Sequence, residues 1–331
     1  MSSAPPPIPA RRPDSAEPHT ALDFVKLEGC GNDYLFVDGD ALPVDLAERF
    51  ELDVPRNAPR LCHRHYGVGA DGLVLFRRIG PAGQLRMLMW NADGSRGSLC
   101  GNAVRCLVKL VGDSEAGELD EFLVETDAAA HRVLVHRENH RIVWCEVEIG
   151  PPRFEPEQIP LDLTQLEAAP AEIQNALSIR LPALGETWEG LVLSIGNPHL
   201  VIPLKAPPTQ LPVPELGAAL QAHPAFPEGV NVAFAHLDSA GRITSRTCER
   251  GSGETLACGS SACAIAVAFA SLGVVPEGHE LPIHQPGGTL IARWDGQSAL
   301  WLAGPAREAF RGRCAWAPAE APGQTAAGSS S

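Results

Sequence analysis

The chain has 331 residues, a length that suits two domains and allows a sizeable core. Its 40 acidic against 26 basic residues leave a net charge of -14, which argues against the cationic face that nucleic acid or an anionic membrane surface requires. Nine cysteines without one C-x-x-C pair fit neither a disulfide framework nor a structural zinc site, so reduced thiols in the cytoplasm are expected.

In chain order, residues 1–20 (MSSAPPPIPARRPDSAEPHT) place Pro and charge where a secretion signal needs an unbroken apolar stretch, and read as a disordered extension. Gly31-Asn32-Asp33 then opens the β-favouring run YLFVD, and GVGADGLVLF follows at 67–76. His63 and His65, beside Cys62 in CHRHYG, lie where a helix ends before Gly67, so no metal site is expected there. LRMLMW (85–90) reads as a strand running into the Gly-rich loop NADGSRGSLCGN, and a helical pattern starts at Cys100-Gly101. Arg105 and Lys109 stand four apart on that helix and are expected as a solvated pair. IVWCEVEIG (142–150) is strand-like, and Pro151-Pro152 after it marks the expected boundary between lobes at 21–150 and 151–303.

The second half repeats the first. Gly196-Asn197-Pro198-His199 leads into LVIP, EGVNVAFAH follows at 228–236, and the strand-like RITSRTC (242–248) runs into a Gly-rich loop ending at Cys258-Gly259. The helix after it (A-C-A-I-A-V-A-F-A, 262–270) is apolar nearly all round and must be buried in its lobe. The apolar stretch from Cys263 to Val275 is too short and too Ala-rich to cross a bilayer. Residues 318–331 read as a disordered tail. Three landmarks in the same order imply a duplicated unit: two similar lobes meeting across a cleft, each offering one cysteine.

A helix N-terminus presents unpaired N–H groups and a positive dipole end, so a thiol placed there is expected to have a lowered pKa. Cys100 and Cys258 each hold that position. One as thiolate and one as thiol, they would take a proton from one face of a carbon and return another to the opposite face. That is two-base racemisation or epimerisation, needing neither a metal nor a pyridoxal lysine. The substrate carboxylate would sit between the helix starts at Gly101-Asn102 and Gly259-Ser260, where backbone donors also stabilise charge as a carbanion forms.

The segments KLEGCGNDYLFVD, GVGADG, NADGSRGSLCGN, SIGNPH, GVNVAF and ERGSGETLACGSSAC resemble the diaminopimelate epimerase family over about residues 24–310. The resemblance implies an α/β fold of mixed α+β character. Its two pseudo-symmetric lobes each wrap a largely antiparallel, barrel-like sheet around a central helix, with the active site in the cleft between them. The last strand, within 304–317, would return to the first lobe. The implied activity is conversion of LL- to meso-diaminopimelate, a step towards lysine and peptidoglycan precursors, in a cytoplasmic homodimer without cofactor or metal. Cys258 would be the proton acceptor and Cys100 the donor in the LL-to-meso direction. Gly101, Asn102, Gly259 and Ser260 would cradle the reacting carboxylate. Asn32, Asn91, Asn197, Asn231, Glu249 and Arg250 would hold the substrate, mostly its distal end, and His199 would support a thiol's ionisation.

This chain departs from the family pattern at Ala103 and Ser261, where Gly is common, at Tyr34, where Phe is common, and at Gly72, where some members carry an amide. Those departures leave substrate identity more open than reaction type. The alternatives are another cofactor-independent racemase, for instance of a basic amino acid such as histidine, and a non-catalytic amino-acid-binding protein or lyase of the same fold. The distal-carboxylate set of Arg250 with three Asn disfavours the first, and the retention of both thiols disfavours the second.

Overall fold

The computed structural model describes residues 20–114, 119–173 and 176–317, so the expected tail at 318–331 and all of the expected extension but its last residue lie outside the described residues. That last residue, Thr20, is a correction: it opens the first strand, opposite Trp316. The first half of the chain contains β1 (Thr20–Gly29), β2 (Asn32–Asp38), α1 (Val44–Cys62), β3 (Gly72–Arg78), β4 (Gln84–Asn91), β5 (Arg96–Gly97), α2 (Gly101–Ser114), β6 (Glu121–Glu125), β7 (Ala130–Glu138) and β8 (Arg141–Glu148). The second contains β9 (Ala171–Ile173), β10 (Ala176–Ala183), β11 (Glu186–Ser194), β12 (Pro198–Pro203), α3 (Val213–Gln221), β13 (Asn231–Leu237), β14 (Ile243–Glu249), β15 (Gly253–Thr255), α4 (Gly259–Ser271), β16 (Leu281–Gln285), β17 (Gly288–Trp294) and β18 (Leu300–Gly304). A final strand, β19 (Arg307–Trp316), follows.

Strand pairing runs in one order in both halves. β1 is antiparallel to β2, β2 parallel to β3 and β3 antiparallel to β4. β4 pairs with the short β5 and, in parallel, with β6, after which β6, β7 and β8 continue antiparallel. The series from β11 to β18 repeats this pattern strand for strand. A parallel pair cannot be closed by a hairpin, so each parallel step carries a helix: α1 and α3 at the first, α2 and α4 at the second.

The parallel-paired strands β2, β3, β12 and β13 are buried on both faces and read as continuous apolar runs, whereas β7, β8, β16 and β17 alternate between buried and more exposed positions. In β2, Tyr34 and Phe36 pack with Val104, Leu107 and Val108 of α2, whereas Leu35 and Val37 pack with Phe50, Val54 and Ala58 of α1. In β13, Ala233 and Ala235 meet α4 while Val232 and Phe234 meet Leu216 and Leu220 of α3. Each lobe therefore has a central helix on one side of these strands and a second helix on the other. α4 buries every residue except Ser260, as its all-round apolar sequence requires. α1 carries Pro55 and Pro59 on its exposed face, away from the side that packs on the strands.

β19 returns to the first lobe, antiparallel to β1. Its end is fastened to α1: Trp316 stacks on Phe50 at 4.4 Å, and Asn57 exchanges two hydrogen bonds with Ala317. β10, with β9, occupies the corresponding place beside β11, and β8 pairs with β18 to join the halves. That junction brings the two central helices together.

Candidate active site

Both central helices start in the same way. The carbonyl of Cys100 accepts from Val104 N–H and that of Cys258 from Ala262 N–H, each at 3.0 Å. The glycine after each cysteine is dictated by close approach. A Cβ on Gly101 would lie 2.9 Å from Leu302 Cδ2, and one on Gly259 would lie 2.7 Å from the same atom. Leu302 of β18 is thus the point around which the two helix starts close. A Cβ on Gly259 would also meet Asn102 Oδ1 at 3.5 Å, so the two expected carboxylate cradles adjoin.

The strand registers bring the remaining expected residues to this junction. In the first lobe Tyr34 of β2 pairs with Gly72 of β3, which pairs with Asn91 at the end of β4. In the second, His199 of β12 pairs with Asn231 of β13, and Val232 with Cys248, which sets Asn231 opposite Glu249 at the end of β14. Asn91 and Glu249 each precede their cysteine by nine residues. The duplication therefore equates Tyr34 with His199, Asn91 with Glu249, and Asn32 with Asn197.

The side chains supporting the two thiols differ. Cys100 Sγ lies 2.9 Å from Tyr34 Oη and also receives the N–H groups of Asn102 and Ala103. Cys258 Sγ accepts from Ser261 N–H and lies 3.4 Å from Ser260 Oγ. Its backbone is held at both ends by Gln285, whose Oε1 accepts from Cys258 N–H at 2.8 Å and whose Nε2 donates to Cys258 O at 3.3 Å. Glu249 accepts from Thr255 Oγ1, reaches the Cys258 thiol, and opposes the ionisation of both cysteines.

The expectation of lowered thiol pKa values is overturned. Burial outweighs the helix-start donors and pushes both Cys100 and Cys258 up, with the Glu249 charge adding to the effect. Burial also pushes the Glu249 carboxyl up. His199 is driven the other way, down to about 3, by burial and by the nearby Arg250 charge, so it is a neutral imidazole. Its Nδ1 lies 3.3 Å from Ser261 Oγ and its Nε2 3.0 Å from Asn197 Oδ1. It reaches Cys258 through Ser261, not directly.

Other expected residues are placed as follows. Asn231 is buried: Nδ2 donates to Pro198 O and Oδ1 accepts from Arg250 N–H, which uses one of its two amide hydrogens and one of its two lone pairs. The Arg250 side chain is exposed and its Nη1 donates to Glu228 O. Asn91 is exposed and donates to Ser95 Oγ, and Asn32 is half-buried beside the Tyr34 hydroxyl. His63 caps a turn by accepting from the N–H groups of His65 and Tyr66.

Arg105 is a correction. It is not a solvated partner of Lys109 but fully buried, with Nη2 donating to Asn102 Oδ1 at 2.8 Å and Nε to Pro305 O at 3.4 Å. The bare backbones of Gly29 and Gly304 leave room for its guanidinium, while Lys109 turns to Asp113 and Ile142 O. Sequence reading also missed Gln285 and Thr255, and noted Tyr34 only as a departure. Matching Gly31-Asn32-Asp33-Tyr34 to Gly196-Asn197-Pro198-His199 would have found Tyr34; no local pattern marks Gln285.

The family profile described as diaminopimelate epimerase matches residues 24–155 and 191–308. The chain is 36% identical to the diaminopimelate epimerase of Moorella thermoacetica over 292 residues, 88% of this chain and 98% of that one. It is 37% identical to that of Desulfovibrio desulfuricans over 294 residues, again 88% and 98% of the two chains. Among solved structures, a hydroxyproline epimerase from Agrobacterium vitis superposes with a TM-score of 0.64 at 15% identity, over 91% of this chain and 94% of that one, a likeness of fold.

Proposed function

The chain belongs to the diaminopimelate epimerase family, and from that premise we propose that Cys100 and Cys258 are the acid and base that invert one α-carbon of the substrate. The protein is an isomerase that epimerises diaminopimelate, converting the LL to the meso form, a reaction that serves lysine biosynthesis. The observation that carries the assignment of roles is the meeting of two Cys-Gly helix starts around Leu302.

Running from LL to meso, the Cys258 thiolate removes the α-proton and the Cys100 thiol delivers one to the opposite face, after which the two have exchanged protonation states. The N–H groups at both helix starts that do not serve the sulfurs receive the α-carboxylate, which becomes more electron-rich as the carbanion forms. Arg250 offers a bidentate grip for the distal carboxylate, and Asn32, Asn91 and Asn197 offer amides to the distal amino-acid end. Asn231 holds the Arg250 backbone and the start of β12 in register, and its second amide hydrogen joins those offered to the substrate. His199, held neutral, fixes Ser261 and through it the donor to Cys258.

The lobes proposed to carry this chemistry are residues 21–150 with the returning segment 304–317, and 151–303. A cytoplasmic homodimer is part of the same proposal; among the described residues no helix is long and apolar enough to cross a membrane. The test is incubation of the reduced protein with LL-diaminopimelate in D2O. Deuterium should enter the α position as meso product accumulates, and absence of exchange by folded, reduced protein would refute the reading.

A further inference from the structure

Among the described residues, the side chain hydrogen-bonded to Cys100 Sγ is that of Tyr34. We propose that Tyr34 is a catalytic residue of the first half-site, whose phenol donates the hydrogen bond that stabilises Cys100 as a thiolate. The inference rests on the two-thiol reading above and deepens it, by naming what lets one lobe's sulfur act as base.

The surroundings of Cys100 require such a donor. The groups that face the Cys100–Tyr34 pair are Glu249 from the end of β14, Asp71 from the segment before β3, and Cys106 from α2. Burial is what most opposes a negative sulfur, the Glu249 carboxylate adds to it, and Asp71 opposes a negative phenol. Two backbone N–H groups and the Tyr34 hydroxyl are what favour it. The second lobe meets the same need with Ser261 N–H and Ser260 Oγ, and at the position equivalent to Tyr34 it places a neutral imidazole that does not reach the sulfur.

The phenol suits the task because it keeps its own proton. Burial and the adjacent Cys100 push Tyr34 well up from the ordinary phenol value, so it remains a neutral hydroxyl. It donates to the thiolate and accepts from the thiol without being consumed, and the proton delivered to substrate is the one on sulfur. The ring is held edge-on to Phe36 at 6.4 Å. It lies against bare backbone at Gly72, where a Cβ would come 2.4 Å from Trp90 O and 3.4 Å from Tyr34 Cδ1. Tyr34 and Gly72 are thus neighbours in one packing arrangement.

The experiment is alkylation by iodoacetamide across pH on the unliganded protein, with Cys100 and Cys258 peptides quantified separately by mass spectrometry. Tyr34→Phe should raise the Cys100 midpoint by about 1 pH unit, the size expected for a lost hydrogen bond to a charged group, and leave Cys258 unmoved. The acid limb of kcat/KM should move up with it, in both directions of reaction, because the equilibrium between the epimers belongs to the substrates. The chain has only two tyrosines, and Tyr66 is exposed, so global replacement by 3-fluorotyrosine supplies a second variant that keeps the fold. Its more acidic phenol should move the Cys100 midpoint down. A Cys100 midpoint unchanged in both proteins overturns the proposal, as does an equal shift of both cysteines, which marks general loosening. Failure of the unaltered protein to epimerise would strike the functional reading alone, since the alkylation comparison does not depend on it.

Discussion

The two lobes share a backbone plan and differ in what they place around the thiol. In the first, Cys100 is half-buried, faces a phenol, and has behind it a buried guanidinium that orients Asn102. In the second, Cys258 is buried, faces a carboxylate and two serines, and is gripped at its backbone by Gln285. Equivalent positions carry Arg105 and Cys263, Asn102 and Ser260, Tyr34 and His199. The matched backbones suit the proposed inversion, in which protons leave and arrive on opposite faces of one carbon. The unmatched side chains suit it too, since the proposed two-thiol scheme needs one sulfur to hold a proton while the other lacks one. Two identical surroundings would give neither sulfur a preference.

The most severe way to break the comparison is to remove one thiol. Cys100→Ala and Cys258→Ala should each lower kcat/KM for epimerisation by at least about 10²–10⁴-fold while substrate binding, read by calorimetry, is largely kept. An Ala variant that turned over normally would show that the lobes do not share the work. Next, Gln285→Leu removes a clamp belonging to the second lobe. It should reduce kcat by about 10- to 100-fold through misplacement of Cys258, and cost about 1–3 kcal/mol in urea unfolding.

The neutral imidazole also belongs to the second lobe, and it gives a pH signature. His199 has a folded-state value of about 3 against 6.5 when free, so between these values the unfolded chain binds a proton that the folded one refuses. Its contribution is complete above about pH 6.5 and is lost towards pH 3, at up to about 1.4 kcal/mol per pH unit. His199→Asn should flatten that acid limb when urea unfolding is followed from pH 7 to 4.5; an unchanged slope would show the histidine is accessible to protons. The smallest expected effect is that of Thr255→Val, which deprives Glu249 of its donor and should cost about fivefold in kcat/KM, about 1 kcal/mol.

Much of this was legible before any coordinates. The repeat of Gly-Asn, Gly-Val and Cys-Gly landmarks anticipated two equivalent lobes, and the all-round apolar face of 262–270 anticipated a buried helix. Both are local signals: a helix with no polar face must be covered, and a recurring turn marks a recurring unit. Arg105 was misread for the same reason, because a cation four residues from a lysine looks solvated when only its own helix is considered. Its burial comes from Gly29 and Gly304, distant in sequence, which leave space beside it. Gln285 was invisible because nothing near it in the chain points towards Cys258, which lies 27 residues earlier.

The sequence by itself determined the family, the duplicated architecture and which two sulfurs stand at helix starts, since these depend on order along the chain and on short-range periodicity. Only the tertiary structure decided how those sulfurs are surrounded. Whether a thiol at a helix start is easily ionised depends on the balance between a few N–H donors and loss of water, and that loss is set by packing from strands far away in the chain. Here burial won in both lobes, and the distant residues Tyr34, Gln285 and Glu249 make the two halves unequal.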